Sequence, residues 1–388
     1  MAVEFDLTPE QEEFRRAVRE FAEEVIAPRA EEMDRQEELP LDIVKQMGEM
    51  GLFGLPFPEE YGGQGADMLT LCLAIEEIAR IDSSIAITLE AGVGLGANPI
   101  NAFGTEEQKQ RWLVPMCRGE ILGAFGLTEP GGGSDAASTK TTARLENGEW
   151  VINGSKAFIT NSGTAISKVC TITAVTGERD GKKEISTIIV PTDTPGFEVG
   201  KSYRKVGWRA SDTHELSFQD CRVPEENLLG ERGRGFAQFL STLDDGRIAI
   251  AALAVGLAQG CLEESVKYAK ERTAFGRPIG EFQGIQFKVA NLRVGVETAR
   301  LATYKAAWLR DQGRPYKAEA SLAKLYASEV AVTSAREALQ IHGGYGFMED
   351  FPVARYYRDS KVLEIGEGTN EIQRILIARD LGLPGTDL

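Results

Sequence analysis

The chain has 388 residues, of which 42% are hydrophobic and 26% charged, as is typical of a globular protein with two or three domains or layers. Its formal net charge is −16, so its surface repels phosphate backbones and nucleic acid is not an expected partner. The five cysteines form no CxxC pair, and the two histidines lack acidic or cysteine neighbours at metal-ligand spacing. Neither a disulfide framework nor a metal site is therefore predicted.

Membrane insertion is not predicted either. The longest apolar run, residues 248–258, is far too short to cross a bilayer. Residues 1–10 are acidic and lack the basic-then-apolar pattern of a secretory signal. These features predict a cytoplasmic protein.

The first third of the chain is predicted to be helical. Thr8 matches an N-cap and Pro9 the first helical position, and apolar residues follow at helical spacing. Further helices are predicted at residues 41–50, 67–90 and 105–117. Residues 92–97 formally contain the dinucleotide-binding pattern GxGxxA, but the residues before them are helical and no βαβ unit follows. We therefore interpret them as close helix packing or a loop.

Near residue 121 the sequence changes from helical spacing of apolar residues to short β-type runs that alternate with turns. This change predicts a compact β domain. Asn147 and Gly148 lie between alternating apolar and polar residues, which is the strongest short signal for a β-hairpin. Strands are predicted at residues 139–145, 150–153, 169–175, 185–190, 197–199 and 215–218.

The last third is predicted to be a bundle of long helices. Helical patterns cover residues 236–271, 282–312, 315–342 and 369–381, and the third ends at Gly343 and Gly344. The predicted fold class is therefore α+β. Its domains are an N-terminal helical domain (1–120), a middle β domain (121–232) and a C-terminal four-helix bundle (233–388).

The candidate for catalysis is Glu367, which lies between Gly366 and Gly368 just before the last predicted helix. Because the flanking glycines have no side chains, they leave the carboxylate unshielded and allow backbone angles that other residues avoid. A carboxylate held in a cavity there would have a raised pKa and could abstract a proton. The alternative is an ordinary acidic residue near a helix N-terminus, where the helix dipole favours negative charge.

Three other segments carry binding chemistry. Residues 127–135 (LTEPGGGSD) expose backbone N–H groups and hydroxyls that suit a phosphate or a polar planar ligand, or else form a flexible turn. Residues 158–161 (FITN) place an aromatic beside a hydroxyl, although ordinary core packing explains the same pattern. Residues 272–279 combine two arginines with Phe275 and suit a diphosphate or adenine, or else a solvated loop.

Two further segments, residues 340–346 (QIHGGYG) and 367–369, complete the set. Together the five segments resemble the acyl-CoA dehydrogenase family of short- and medium-chain type. They occur in the family's order, and the resemblance extends over essentially the whole chain. The resemblance implies FAD bound between the β domain and the bundle of a homotetramer, with the ADP half crossing a subunit boundary. The implied cofactor-binding residues are Phe125, Leu127, Thr128, Gly133, Ser134, Phe158, Ile159, Thr160, Arg272, Ala274, Phe275, Phe282, Gln283, Gln340, Ile341, Gly343, Gly344, Thr369 and Glu371. The implied substrate-binding residues are Ser134, Leu243, Asp244, Arg247, Glu367 and Gly368.

The resemblance also implies a reaction. Glu367 would remove the α-proton of an acyl-CoA thioester while flavin N5, near the Thr160 hydroxyl, takes the β-hydride. The product would be a trans-2-enoyl-CoA, and electrons would leave through an electron-transfer flavoprotein, as in fatty-acid β-oxidation. Phe158 departs from the tryptophan usual in the family, while an aromatic remains. A subset of the family carries its base where this chain has Gly246, which cannot act as one.

Several alternatives stay open. The same residues could reduce an enoyl-CoA, or act on branched or dicarboxylyl acyl groups. Glu90 lies on the helix whose end resembles the floor of the acyl pocket, at or near the place of an acid in a medium-chain-type member, although this chain has about one extra residue beyond it; the alternative is a structural carboxylate. Oxidase relatives are usually much longer, and Glu367 argues against nitroalkane oxidase and flavin hydroxylase relatives. The charge of −16 argues against the DNA-binding branch, and the five matching segments argue against a flavin-free scaffold. Neither His214 nor His342 is assigned a catalytic role.

Overall fold

The structure, a computed structural model, describes residues 6–384. Residues 1–5 and 385–388 lie outside the described residues, so part of the acidic stretch 1–10 and the outer ends of two predicted domains are not covered. The helices of the first third are α1 Pro9–Phe21, α2 Ala30–Gln36, α3 Leu41–Glu49, α4 Met68–Ala79, α5 Ser83–Glu90, α6 Asn98–Phe103, α7 Glu106–Gln108 and α8 Val114–Cys117.

The single helix predicted at residues 67–90 is wrong, because the chain forms two helices there. Asp82 has an extended backbone, and its side chain accepts a hydrogen bond from the Ile85 N–H, which starts α5 after a short turn. Beyond Glu90 the chain continues as a π-helical segment, Ala91–Ala97. A Cβ on Gly92 or Gly96 would overlap Phe53 or the backbone of Gly123, so these glycines permit close packing, as the sequence interpretation expected.

The middle of the chain forms one sheet with strand order β6-β7-β3-β2-β4-β5-β8, and β1 pairs in parallel with β4. Its strands are β1 Leu122–Gly126, β2 Thr142–Glu146, β3 Glu149–Thr160, β4 Ser167–Arg179, β5 Lys182–Pro191, β6 Phe197–Val199, β7 Thr213–Pro224 and β8 Leu228–Leu229. The predicted hairpin is confirmed, since Asn147 and Gly148 connect β2 and β3 with positive φ angles of 55° and 84°. Strand β3 runs past its predicted end and includes Phe158 and Thr160.

The last third contains a small hairpin and the predicted long helices. The hairpin strands are β9 Thr273–Ala274 and β10 Arg277–Pro278, and the helices are α9 Gly235–Glu271, α10 Gln283–Asp311, α11 Lys317–His342, α12 Pro352–Ser360 and α13 Asn370–Asp380. By length and composition alone α9 could cross a membrane, but 83% of its most apolar window is buried within the protein. We therefore describe it as the central core helix, packed against α4, α10 and α11.

A buried ionic cluster ties the first helices to the bundle. The carboxylate of Glu77 on α4 accepts hydrogen bonds from Arg15 at 2.7 Å and Arg19 at 2.8 Å, and only 2% of its side chain is exposed. Arg80 lies 3.3 Å from the same carboxylate and donates to Glu263 of α9 at 2.8 Å. Removing the central carboxylate would leave several arginines without their counter-charge.

We predict that Glu77→Gln destabilises the protein by about 3 kcal/mol, because breaking a buried ion pair leaves uncompensated charge. Burial alone would raise the pKa of Glu77, but hydrogen bonds from Arg19 and Arg15 outweigh burial and hold it below 4.5. The stabilisation is therefore present above about pH 4.5 and is lost as the pH falls. Urea unfolding at several pH values measures it. Lys45→Gln, which breaks the exposed pair with Glu49, should change the free energy of unfolding by less than about 0.5 kcal/mol; equal effects would contradict the prediction.

Candidate active site

Glu367 lies in a tight turn immediately before α13. Its φ is 52° and that of Gly368 is 93°, so both residues have the left-handed backbone that only glycine adopts easily. Thr369 caps α13, and its hydroxyl accepts a hydrogen bond from the Ile372 N–H at 3.3 Å. A non-glycine residue with positive φ is strained, and such strain is often found at functional sites.

The Glu367 carboxylate points into the protein against α9. Both of its oxygens are buried, and neither has a hydrogen-bond partner among the described residues. A Cβ built on Gly246 would overlap Oε2 of Glu367, so only glycine at position 246 leaves room for the acid. The carboxylate of Glu367 thus occupies the space beside Gly246, where the resemblance places the base of a subset of the family.

A second buried carboxyl group faces the first. Glu90 is the last residue of α5, directly before the π-helical segment, and both of its oxygens are buried without a hydrogen-bond partner in the described structure. Burial and the charge of Glu367 raise the pKa of Glu90 well above 4.5. Burial also raises the pKa of Glu367, while a proton held by the facing Glu90 carboxyl group and the positive charges of Lys324 and Arg247 act to lower it. Of the two groups, Glu90 therefore holds its proton more strongly than Glu367.

The residues predicted on α9 lie beside this pair. Arg247 donates to Asp244 at 2.5 Å, and Lys317 lies 2.7 Å from the same carboxylate. Leu243 packs with Phe125 and Phe239 in a small apolar cluster, which Leu127 of the glycine-rich loop and Leu95 also contact. The structure thus brings Phe125 and Leu127 into contact with Leu243 of α9, the helix that also carries Gly246 and Arg247.

The other predicted β-domain residues are more varied in their exposure. Phe158 has a φ of 62° and is 66% exposed, with Tyr203 as its ring neighbour at 5.3 Å. The side chain of Ile159 is buried in the β core, so only its backbone is available to a ligand. Thr128 and Thr160 are half-buried, whereas Gly133 and Ser134 are exposed on the loop. Asn161 donates to the Thr88 carbonyl at 3.0 Å and joins this strand end to α5.

A second region lies at the far end of α9 and α11. Arg272, Ile341, Gly343 and Gly344 line a cavity of about 500 Å³, and the Arg272 guanidinium lies 5.4 Å from the centre of the Tyr345 ring. The remaining predicted residues lie outside the lining of this cavity: Phe275 is 96% exposed on the β9–β10 hairpin, Ala274 and Phe282 are half-buried, and Gln283 and Gln340 are exposed. Thr369 and Glu371 lie at the start of α13 instead, apart from this group.

Sequence reasoning missed one residue of the site. Lys324 of α11 is fully buried, and its ammonium group contacts the turn that carries Glu367. The available signal was a lysine on the alanine-rich face formed by Ala320, Ala323 and Ala327. A helix face of buried alanines predicts close helix packing, and a charge within it needs a partner.

Known proteins of one family match this chain over nearly its whole length. The family models for the N-terminal, middle and C-terminal domains of acyl-CoA dehydrogenase match residues 8–120, 124–221 and 233–382. A probable acyl-CoA dehydrogenase, YngJ, of Bacillus subtilis is 52% identical over 97% of this chain and 99% of its own length. A short-chain specific acyl-CoA dehydrogenase of Clostridium acetobutylicum is 47% identical over 97% of this chain and 99% of its own.

Solved structures agree with these matches. A structure of butyryl-CoA dehydrogenase from Megasphaera elsdenii has a TM-score of 0.94 at 43% identity, covering 98% of this chain and 100% of its own. A structure described as an electron transferring flavoprotein of Acidaminococcus fermentans has a TM-score of 0.95 at 45% identity, covering 98% and 99%. An acyl-CoA dehydrogenase complexed with FAD from Bacillus anthracis has a TM-score of 0.91 at 36% identity, covering 97% and 67%.

The chain is therefore an FAD-dependent oxidoreductase that dehydrogenates acyl-CoA thioesters. It belongs to the acyl-CoA dehydrogenase family. Its own residues fit FAD, since exposed aromatic rings at Phe158 and Phe275 offer apolar faces. The cavity beside Arg272 offers a guanidinium and the glycine backbone at Gly343 and Gly344.

We predict that Gly246→Ala lowers the rate of flavin reduction by an acyl-CoA by about 100-fold, because the new methyl group displaces the Glu367 carboxylate. Anaerobic rapid mixing measures the rate, and flavin content checks that the fold survives. Gly295→Ala in α10 is the matched control, because its Cβ would meet only the two methyl groups of Val330, at 3.2 and 3.7 Å. Reduction at the wild-type rate in Gly246→Ala would contradict the placement of the base.

Proposed function

We propose that this enzyme oxidises short-chain acyl-CoA thioesters to trans-2-enoyl-CoA, with Glu367 as the base that removes the α-proton. The observation that carries the proposal is the Glu367 carboxylate, which is buried, lacks a hydrogen-bond partner in the described structure and is held against Gly246. A carboxylate without partners is poorly stabilised as an anion, and this makes it a strong base. The short-chain preference is supported by the relatives described as short-chain specific and as butyryl-CoA dehydrogenase.

The proton inventory of the site suits this role. In this proposal Glu367 is ionised and Glu90 is neutral, so the pair holds one proton before the reaction; the larger upward pKa shift of Glu90 supports this distribution. Removing the α-proton of the substrate would make Glu367 neutral as well, so the buried pair would then carry no charge in an environment that disfavours charge. Bound FAD supplies the acceptor for the hydride that leaves the β-carbon. The N–H of Glu367 would donate to the thioester carbonyl and stabilise the developing enolate.

The remaining predicted residues are proposed to bind and orient the acyl-CoA and the FAD. Leu243, Asp244, Arg247, Ser134 and Gly368 would contact the acyl-CoA, and this is supported by the position of the α9 residues beside Glu367. The flavin would be held by Phe125, Leu127, Thr128, Gly133, Ser134, Phe158, Ile159, Thr160, Arg272, Ala274, Phe275, Phe282, Gln283, Gln340, Ile341, Gly343, Gly344, Thr369 and Glu371. Ile159 would contribute only its backbone, since its side chain is buried in the β core.

The redox partner, compartment and domain limits complete the proposal. An electron-transfer flavoprotein is the proposed acceptor of the electrons, supported by the likeness to the Acidaminococcus fermentans structure. A cytoplasmic location is supported by the five cysteines, all free and buried. Domain boundaries after residues 120 and 232 are supported by the start of β1 at Leu122 and the interval between β8 and α9.

A homotetramer is proposed as the working assembly. Phe287, Val294, Leu301 and Trp308 follow one another at seven-residue intervals along α10 and are 62%, 64%, 53% and 40% exposed. Seven-residue spacing aligns these side chains along one face, which is the pattern of helices that pack together. The nearly complete exposure of Phe275 further supports completion of the flavin site by a second copy.

The proposed chemistry is tested by anaerobic spectral titration with a panel of straight-chain, branched and dicarboxylyl acyl-CoAs. We expect the flavin bands of the wild type to bleach most readily with a short straight chain. Glu367→Gln should bind the same acyl-CoA but bleach about 100- to 10,000-fold more slowly, because it lacks the base. Glu364→Gln, three residues earlier and paired with Lys361, is the matched control. Unchanged bleaching in Glu367→Gln would refute the assignment.

For the assembly, we predict that the double substitution Val294→Glu and Leu301→Glu yields smaller particles with less bound flavin, because charge in a helix interface is costly to desolvate. Light scattering gives the mass, and absorbance gives the flavin content. Lys182→Glu, on the β4–β5 hairpin, controls for added negative charge. An unchanged mass of the double variant would argue against this face as the interface.

A further inference from the structure

Lys324 is an unusual residue for the interior of a helical bundle. It lies on α11 with no exposed surface, among Ala320, Ala323 and Ala327. Burying an ammonium group is costly unless the group is paired and hydrogen-bonded. Its Nζ donates to the Gly368 carbonyl at 2.9 Å and to Oδ1 of Asn370 at 3.2 Å. Both acceptors belong to the turn that presents Glu367.

Hydrogen bonding alone does not explain a charged residue at this position. The Gly368 carbonyl also accepts from the Gln373 amide at 2.9 Å, and Asn370 Oδ1 also accepts from the Ser328 hydroxyl at 3.0 Å. Neutral donors therefore already serve both acceptors at a lower desolvation cost. What only the ammonium adds is a positive charge, and none of the ion pairs within residues 6–384 joins it to a carboxylate.

The charges around Glu367 make this addition significant. Glu90 faces Glu367 from α5, Arg247 lies on α9, and Glu364 and Glu371 flank the turn. Arg247 also acts on Glu367, but it pairs with Asp244 at 2.5 Å, and Lys317 lies 2.7 Å from the same carboxylate. Lys324 differs from Arg247 in that it forms no ion pair with a carboxylate among the described residues. Burial lowers the pKa of Lys324 to about 8, and the charge of Glu367 acts in the opposite direction.

Building on the proposed function, we infer that Lys324 is a positioning residue that holds the Glu367–Gly368 turn and directs ionisation to Glu367 rather than Glu90. Its hydrogen bonds keep the left-handed backbone in place, so that the carboxylate stays against Gly246. Its positive charge favours the Glu367 anion. The facing Glu90 then retains the shared proton. The residue touches no reacting atom and acts entirely through the base.

The test measures proton removal separately from electron transfer. Methylthioacetyl-CoA carries sulfur at its β position and cannot give up a hydride, so exchange of its α-hydrogens in deuterium oxide reports the base alone. The exchange rate is measured as a function of pH, and its acid limb is the range in which the rate falls as Glu367 becomes protonated. In Lys324→Gln, which keeps a donor but loses the charge, we expect this acid limb to shift upward by about one pH unit. The sign follows because loss of a nearby positive charge raises the pKa of Glu367. At high pH the exchange rate should return to within a few-fold of wild type.

Asn370→Asp provides a second test that does not require replacing the buried lysine. The new carboxylate would pair with Nζ and neutralise its charge while keeping the shape of the turn, so the acid limb should again shift upward. Ser328→Ala, which removes a neutral donor to the same oxygen, should leave the limb in place. Thermal unfolding and flavin content accompany each variant.

The inference is overturned if Lys324→Gln and Asn370→Asp lose exchange equally at every pH, or if their acid limbs coincide with that of wild type. The first result would mean a purely structural role, and the second would mean that the charge does not act on the base. Failure of the proposed function looks different: wild-type protein would neither exchange α-hydrogens nor bleach with any acyl-CoA, or Glu367→Gln would do both as well as wild type.

Discussion

The active-site region depends on the burial of two carboxyl groups that face each other, Glu367 and Glu90. In water both would be ionised at neutral pH, but without solvent two adjacent anions cannot coexist at an acceptable free energy. One proton must therefore be shared, and the neighbouring charges decide which group holds it. Burial beside a second carboxyl group raises the pKa of Glu367 and makes it a stronger base than a glutamate in water. The elements packed around it must therefore leave room for its carboxylate and supply a nearby positive charge.

Four segments of the fold meet this requirement. The turn before α13 gives Glu367 its left-handed backbone, α9 contributes Gly246, α5 ends at Glu90, and α11 brings Lys324 beneath the turn. The π-helical segment Ala91–Ala97 follows Glu90 directly, and single π turns often occur at functional sites. The glycines of this segment allow it to pack closely on Phe53 and β1, which fixes the end of α5.

Much of this organisation could be predicted from sequence because its signals are local. The Asn147-Gly148 hairpin, the long amphipathic helices and the glycines around Glu367 each depend on nearby residues. The predicted helix at 67–90 failed because the N-cap of Asp82 outweighed a continuous apolar pattern. The short strands β1 and β8 and helix α12 were not predicted. Tertiary pairing determines at least β1, because it pairs in parallel with β4, which lies about forty residues further along the chain.

The relations between distant residues could not be predicted without the fold. Nothing local links Glu90 to Glu367. The alanine-rich face around Lys324 indicates that its charge needs a partner, but not which residue that partner is. The family resemblance pointed to Glu367 and to the glycine at 246, but not to the reason for that glycine, which is the space that the carboxylate occupies. Functional chemistry here arises from contacts between residues far apart in the chain.

The most direct test of this account is infrared difference spectroscopy of the buried carboxyl groups at neutral pH. The wild type should show a band of a protonated carboxylic acid that is protected from solvent exchange. The account predicts that this band is lost in Glu90→Gln and survives in Glu367→Gln, because Glu90 holds the proton and Glu367 is the anion. Loss of the band in Glu367→Gln with its survival in Glu90→Gln would reverse the two roles and contradict the assignment of the base.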